Sequence, residues 1–496
     1  MFESASFVLF AVTLPFASLL LALRSGLQRA YCYSLPVLPL PALMIALLSD
    51  PGWLLSLPGL LHGGLWGMDD LRRAFLLLTA MLWLAAGVFA LGYMKGYLKA
   101  DNLRRFCVFW ALTLAGNLGL TIAEDIASFY GFFALMTFAA YGLVVHEGTG
   151  EANRAGRVYL VMAVGGEMAI LAGLLMAAQL AGSDLLADLP ATIAGAEQRG
   201  LIMLLLLAGF GVKAGLPLLH FWLPLAHPVA PTPASAVLSG AMIKAGLLGW
   251  LVTLPFGEVS LPGWGDLLVI VGAVGSLGGA VLGLRQQQPK TVLAYSSISQ
   301  MGFITMMVGA ALASADVAVT LFAVMALFAL HHGLAKGSLF LATAMTLPRS
   351  RIGQWLMWLL VALPGLSLAG LPFTSGAVAK LAMKEVLKPD HFAFAAAPYL
   401  PALMSAGAVA TMLLVWRFLW LQRAVGKIGR NPVAMWVGWG LSLAGSLILF
   451  WYLPWHGAVP EKTWPTAITG EAWSLIWPIL MATLMAAVAP RSVRQR

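Results

Sequence analysis

An all-α fold that crosses a lipid bilayer many times is what this sequence predicts, and three observations carry the prediction. Of 496 residues, 60% are hydrophobic and only 10% charged, against roughly 25% charged in soluble domains. Apolar runs recur along the whole length, and many approach the roughly 20 residues a helix needs to cross about 30 Å of hydrocarbon. The runs are continuous Leu, Ala, Gly and Met, not the strict alternation of a membrane β-barrel.

The first run, 5–23, starts close to Met1 without a basic leader or a small-residue cleavage site, so it reads as a retained helix and not a signal peptide. Runs at 31–49, 74–93, 106–123, 126–146 and 158–181 follow. Next come 201–220, 232–255, 264–284, 290–313 and 316–345, then 352–388, 396–424, 432–452 and 472–490. The run at 352–388 exceeds one crossing and must be interrupted. The expectation is therefore about 14–15 transmembrane helices in one membrane domain, 1–496, because no linker or low-complexity stretch divides the chain.

The net charge of +9 matters less than its placement. With loops numbered from the first, most loop Lys and Arg lie in odd loops and in the tail, among them Arg24, Arg29, Lys95, Lys99, Arg104, Arg105, Arg491, Arg494 and Arg496. Even loops hold Arg72, Arg73, Arg199, Lys388 and Lys462. Basic loops stay in the cytoplasm, so the expected N-terminus is outside and the C-terminus cytoplasmic, in the cell inner (plasma) membrane. This pattern gives no reason to expect nucleic acid as a partner. Cys32 and Cys107 have neither metal-ligand nor disulfide-framework spacing. No haem, iron–sulfur or nucleotide-binding motif is present, so no cofactor and no metal site are expected, and the chain has no catalytic cofactor centre of its own.

Some basic residues nevertheless fall inside the spans: Lys213, Lys244, Lys336, Lys380, Lys384 and Arg417. Glu167 is the acidic residue in mid-span. A helix-centre charge costs about 2.5–3.5 kcal/mol on insertion scales and usually marks an ion or proton path. Lys384 reads as snorkelling to an interface. Lys213, Lys244 and Lys336 have apolar turns on both sides. His332 and Lys336 are four residues apart and share a helix face. In "GFGVKAGLPLLHFWLP" (209–224), Pro217 cannot bond the carbonyl of Lys213, nor Pro224 that of His220. A broken helix carrying a lysine is a plausible hydrated ion site. "KAGLP" (213–217) recurs as "LAGLP" (368–372), again inside a span and followed by Lys380.

The long stretch "GFGVKAGLPLLHFWLPLAHPVAPTPASAVLSGAMIKAG" resembles a signature of antiporter-like membrane subunits, the family of the proton-pumping subunits of respiratory complex I, multisubunit sodium/proton antiporters and group 4 hydrogenase membrane arms. "KTVLAYSSISQMG", "HHGLAKGSLFL" and "GLPFTSGAVAK" are similar to further signatures, in the family's order. The resemblance implies two inverted five-helix repeats, 106–255 and 264–424, each with a broken helix, flanked by N-terminal helices in 1–105 and C-terminal helices in 425–496. It marks Lys213 and Lys380 as broken-helix lysines, Lys244 as the lysine of the following helix, His332 with Lys336 as a central relay, and His220 and His227 as histidines beyond the first break. One departure stands out. The family's Trp–Glu pair on the fifth helix is replaced here by Phe133 and Ala134, so the glutamate that pairs with the broken-helix lysine is missing. Glu167 is expected to take over as the partner of Lys213, with Gly165 and Gly166 permitting close helix approach.

The function these readings imply is proton translocation through a buried Lys/His/Glu relay, with sodium as a further candidate ion. Arg417 is either an exit-side element of that relay or an interface anchor. Any driving chemistry must come from partners: other membrane subunits and a cytoplasmic-side complex. That complex is a redox enzyme of NADH/quinone or hydrogenase type, an antiporter assembly, or an inorganic-carbon accumulation system. The contrasting class is a non-conducting membrane scaffold.

Overall fold

The computed structural model describes residues 4–59, 63–96, 100–452 and 474–488. Lys99, Lys462, Arg491, Arg494 and Arg496, which entered the charge-asymmetry argument, lie outside the described residues.

In chain order the elements are α1 (Ala5–Leu23), the short α2 (Gln28–Ser34) and α3 (Leu40–Leu48), and a hairpin of β1 (Trp53–Leu57) and β2 (Gly64–Met68). Then come α4 (Asp70–Tyr93), α5 (Ala100–Ile122), α6 (Ile126–Val144), α7 (Gly150–Ala181), α8 (Leu189–Gly195) and α9 (Arg199–Ala214). They are followed by α10 (Trp222–Val229), α11 (Thr232–Thr253), α12 (Pro262–Leu284), α13 (Pro289–Ala313) and α14 (Ala315–Ala342). The series closes with α15 (Arg351–Ala369), α16 (Ser375–Val386), α17 (Leu400–Val425), α18 (Val433–Tyr452) and α19 (Ile476–Val488). Among the described residues, 11 helices are long and apolar enough to span a membrane. The protein is a multi-pass helical membrane protein.

Three of the expected spans differ from the observed elements, and the interruption expected within 352–388 is present. The run 31–49 is split into α2 and α3, because Pro36, Pro39 and Pro41 remove backbone donors from its middle. The run 201–220 stops at Ala214, and 352–388 is two helices separated at 370–374. The run 472–490 is described only in part, as α19. The β1–β2 hairpin was not anticipated. It is antiparallel, with Trp53 opposite Met68 and Leu57 opposite Gly64.

Helix starts and stops follow local chemistry. Asp69, Asp125, Thr149 and Ser350 cap α4, α6, α7 and α15 by accepting N–H bonds in the first turn. Gly182, Gly215 and Gly370 end α7, α9 and α15 in the left-handed region.

The chain forms two compact units. The first comprises Met1–Gly215, Val229–Glu258 and Pro432–Gly440; the second comprises Leu216–Pro228, Val259–Asn431 and Leu441–Arg496. In the first unit, Gly166 on α7 and Gly209 on α9 meet backbone to backbone: a Cβ on Gly209 would lie 2.8 Å from the Gly166 carbonyl oxygen. Gly165, by contrast, faces open space, so one glycine of the expected pair makes the close approach.

At the hairpin end of the first unit, the buried Arg72 guanidinium bridges Glu124 at 2.7 Å and Asp69 at 3.2 Å, and also donates to the Ala123 carbonyl. Burial holds the Glu124 carboxyl above its ordinary value of 4.5. Asp69 and Asp125 push it in the same direction, and Arg72 offsets only part of the rise. The folded state therefore binds this proton more readily than the unfolded chain. Its contribution to stability is fully present below the ordinary carboxylate range and declines as pH rises from there through the raised value. Glu124→Gln is expected to flatten that part of the dependence of unfolding temperature on pH.

Candidate functional site

The two helix breaks are built from the same backbone device. In Gly215-Leu216-Pro217-Leu218 the first residue has φ 80° and the last 66°; in Gly370-Leu371-Pro372-Phe373 they have 98° and 65°. Among the described residues, Leu218 and Phe373 are the non-glycine residues with positive φ, a conformation costing about 1–3 kcal/mol. The same strain at the residue after a shared Gly-Leu-Pro turns the short sequence echo into a structural equivalence of the two breaks. One detail of the first break departs from expectation. The His220 carbonyl is not left free by Pro224, because it accepts the Leu223 N–H at 2.9 Å.

In the first unit, Lys213 in the last turn of α9 is 5% exposed. Its Nζ sits 5.7 Å from the centroid of the Phe133 ring and 5.6 Å from that of Tyr159. It also donates to the Tyr159 hydroxyl at 3.4 Å. That hydroxyl donates in turn to the Thr137 carbonyl at 2.6 Å, which leaves its lone pairs toward the ammonium. Phe133 thus supplies an aromatic face beside the position where the family's glutamate would stand. Glu167, buried on α7, interacts electrostatically with Lys213. Lys244 on α11 is fully buried and donates to the Ser239 carbonyl at 2.9 Å. Ser239 lies in a π-helical turn, Leu238–Met242, a widening often found at functional positions.

In the second unit, Lys336 on α14 is fully buried and donates to the Leu293 carbonyl of α13 at 3.0 Å. His332, one turn earlier, stacks on Phe328. His227 stacks on Phe340 with centroids 4.5 Å apart and lies within electrostatic reach of Lys336 and Lys290. The half-buried His220 meets Tyr295 edge to face. Lys380 on α16 folds back to the Ala369 carbonyl at 3.0 Å, placing a cation at the C-terminal end of α15, where the helix dipole favours it. Arg417 on α17 is held by the Gln286 carbonyl at 2.9 Å and by Gln287 Oε1 at 3.3 Å. These contacts tie it to the α12–α13 turn.

Lys213 and Glu167, and Lys336 and His227, are within electrostatic reach of each other. Tyr159 and His331 were not singled out from sequence. Tyr159 lies eight residues before Glu167 on one helix, and His331 lies beside His332. Among the described residues, no group of three or more His, Cys, Asp or Glu is placed to hold a metal ion.

Residues 123–405 match the sequence model of a family described as NADH:quinone oxidoreductase/Mrp antiporter, transmembrane. Hydrogenase-4 component B of Escherichia coli (strain K12) is 30% identical over 290 residues, 57% of this chain and 43% of that protein. A Staphylococcus saprophyticus relative whose name describes an antiporter subunit is 32% identical over 344 residues, 63% of this chain and 42% of that one. The chain thus spans less than half the length of these relatives. Among solved structures, a chain of the Mrp complex from Dietzia sp. shares the fold, with a TM-score of 0.78 at 23% identity, covering 98% of this chain and 56% of that chain.

Proposed function

The chain belongs to the NADH:quinone oxidoreductase/Mrp antiporter membrane family, and from that premise we propose that it moves protons across the cell membrane as one subunit of a larger complex. One observation carries the reading. Lys213, Lys244, Lys336 and Lys380 are all buried, and each donates to an uncharged oxygen. A neutral amine donates to such an oxygen as an ammonium does, so each lysine can give up or take a proton without breaking its anchor. Four helix-embedded lysines at about 2.5–3.5 kcal/mol each are a burden that a passive scaffold has no reason to carry.

In this reading Glu167 serves as the carboxylate partner of Lys213. His220, His227 and His332 pass protons near the lysines, and Arg417 anchors the exit-side end. The equivalent breaks support two inverted repeats, 106–255 and 264–424. The N-terminus lies outside and the C-terminus in the cytoplasm. Other membrane subunits and a cytoplasmic-side complex supply the driving reaction. The full chain reconstituted in vesicles is expected to admit protons under an imposed potential, and Lys336→Ala to stop them; a scaffold passes none, with or without Lys336.

A further inference from the structure

We propose that His331, oriented by Ser375, carries protons at the second helix break, a role that rests on the proton-translocation reading above. His331 and His332 are adjacent on α14 and both buried. Successive helix positions point about 100° apart, so the two rings serve different neighbours. His332 shares the face of Lys336, four residues on. His331 is turned to α16, where its Nδ1 lies 2.7 Å from Ser375 Oγ.

The direction of that hydrogen bond is set by the serine's other partner. Ser375 Oγ also bonds the Ser446 carbonyl of α18, and there the hydroxyl is the donor. A hydroxyl has one hydrogen, so in the bond to His331 the imidazole Nδ1–H donates and Ser375 accepts. Nδ1 thus holds the proton of the neutral ring, and Nε2 holds a lone pair. Because the Ser375 donor is already satisfied by Ser446, the histidine is not needed to complete it.

The surroundings hold the ring in place. A Cβ on Gly376 would lie 3.0 Å from His331 Cε1, so the ring edge packs directly on the first turn of α16. The Gly376 N–H donates to Ser367 Oγ of α15 at 3.3 Å. Polar groups from α14, α15, α16 and α18 therefore meet at the start of the short helix whose Lys380 closes the end of α15.

A transfer here balances in protons and involves no redox change. His331 takes one proton from water at Nε2, becoming imidazolium, and gives one back from Nε2, while its Nδ1–H stays on Ser375 Oγ. Ser375 keeps its own hydrogen on the Ser446 carbonyl throughout. The ring ends in the tautomer it began with, so no turn of the ring is needed.

The test is proton flux into vesicles holding the full chain, read by an enclosed pH-sensitive dye under a potassium diffusion potential. His331→Asn keeps an N–H able to reach Ser375 but cannot take up a proton. It is expected to lower flux about tenfold or more, within what loss of a general acid–base group removes. Ser375→Ala is expected to do the same, and the double variant to lose no more than either single one. Flux at the wild-type rate in His331→Asn overturns the proposal. Should that variant also unfold at a lower temperature, His331→Ala with added imidazole decides: restored flux supports proton carriage, and unrestored flux rejects it. Lys336→Ala run alongside separates the two levels. If it leaves flux intact, the translocation reading falls; if it abolishes flux while His331→Asn does not, only the role of His331 falls.

Discussion

Glu167→Gln is expected to reduce proton flux to below about a tenth of the wild-type rate while leaving the chain folded, because it removes the carboxylate that interacts with Lys213 and keeps nearly the same shape. General acid–base groups commonly contribute a hundredfold or more, so about tenfold is a conservative expectation. The ammonium also meets the Tyr159 hydroxyl and two ring faces. A desolvated cation–π contact is worth about 2 kcal/mol, enough to hold the side chain but not to exchange protons with it. Phe133→Leu should accordingly weaken the seat of Lys213 with a much smaller loss of flux. A double-mutant cycle of Glu167→Gln with Lys213→Met is expected to show a coupling of about 1–3 kcal/mol. Additive losses would remove Glu167 from the role assigned to it.

Gly376→Ala should have the largest effect on stability among alanine substitutions of the described glycines. A Cβ there meets the Ser367 carbonyl at well inside contact distance, with the His331 ring on its other side. Backbone cannot yield as a flexible side chain can, so α15 and α16 must separate, at a cost of about 3 kcal/mol, the upper part of the overpacking range. The expected readout is a clear fall in unfolding temperature and loss of flux together. Gly440→Ala on α18 is the control. It meets nothing within 4 Å, and replacing a helical glycine by alanine gains up to about 1 kcal/mol, so its unfolding temperature should hold or rise.

Much of the site was legible because burying charge in a membrane is costly. A lysine between apolar turns has to be explained, and that reasoning located Lys213, Lys244 and Lys336 without any structure. The breaks were legible from Gly and Pro, but their equivalence was not. It rests on positive φ at Leu218 and Phe373, residues whose identity gives no hint of that conformation. Glu167 was found by elimination, as the acid in mid-span. Tyr159 was passed over because an aromatic residue in an apolar run reads as packing, and only the fold turns its hydroxyl to Lys213. His331 was hidden beside a histidine that matched a known pattern. The hairpin was missed because its strands are short and lie between helical runs. The split of 31–49 was signalled by three prolines, and the apolar count outweighed them.

If buried lysines carry protons through this chain, vesicle flux of the wild type beside Lys336→Ala must show it. Lys336 is fully buried and anchored to a backbone carbonyl, so its removal takes away a titratable group and, among the described residues, no ion pair with a carboxylate. Rapid acidification is expected with the wild type under an imposed potential and none above the lipid background with the variant, both proteins unfolding as cooperatively as each other. Equal flux from the two, or none from either, would contradict it.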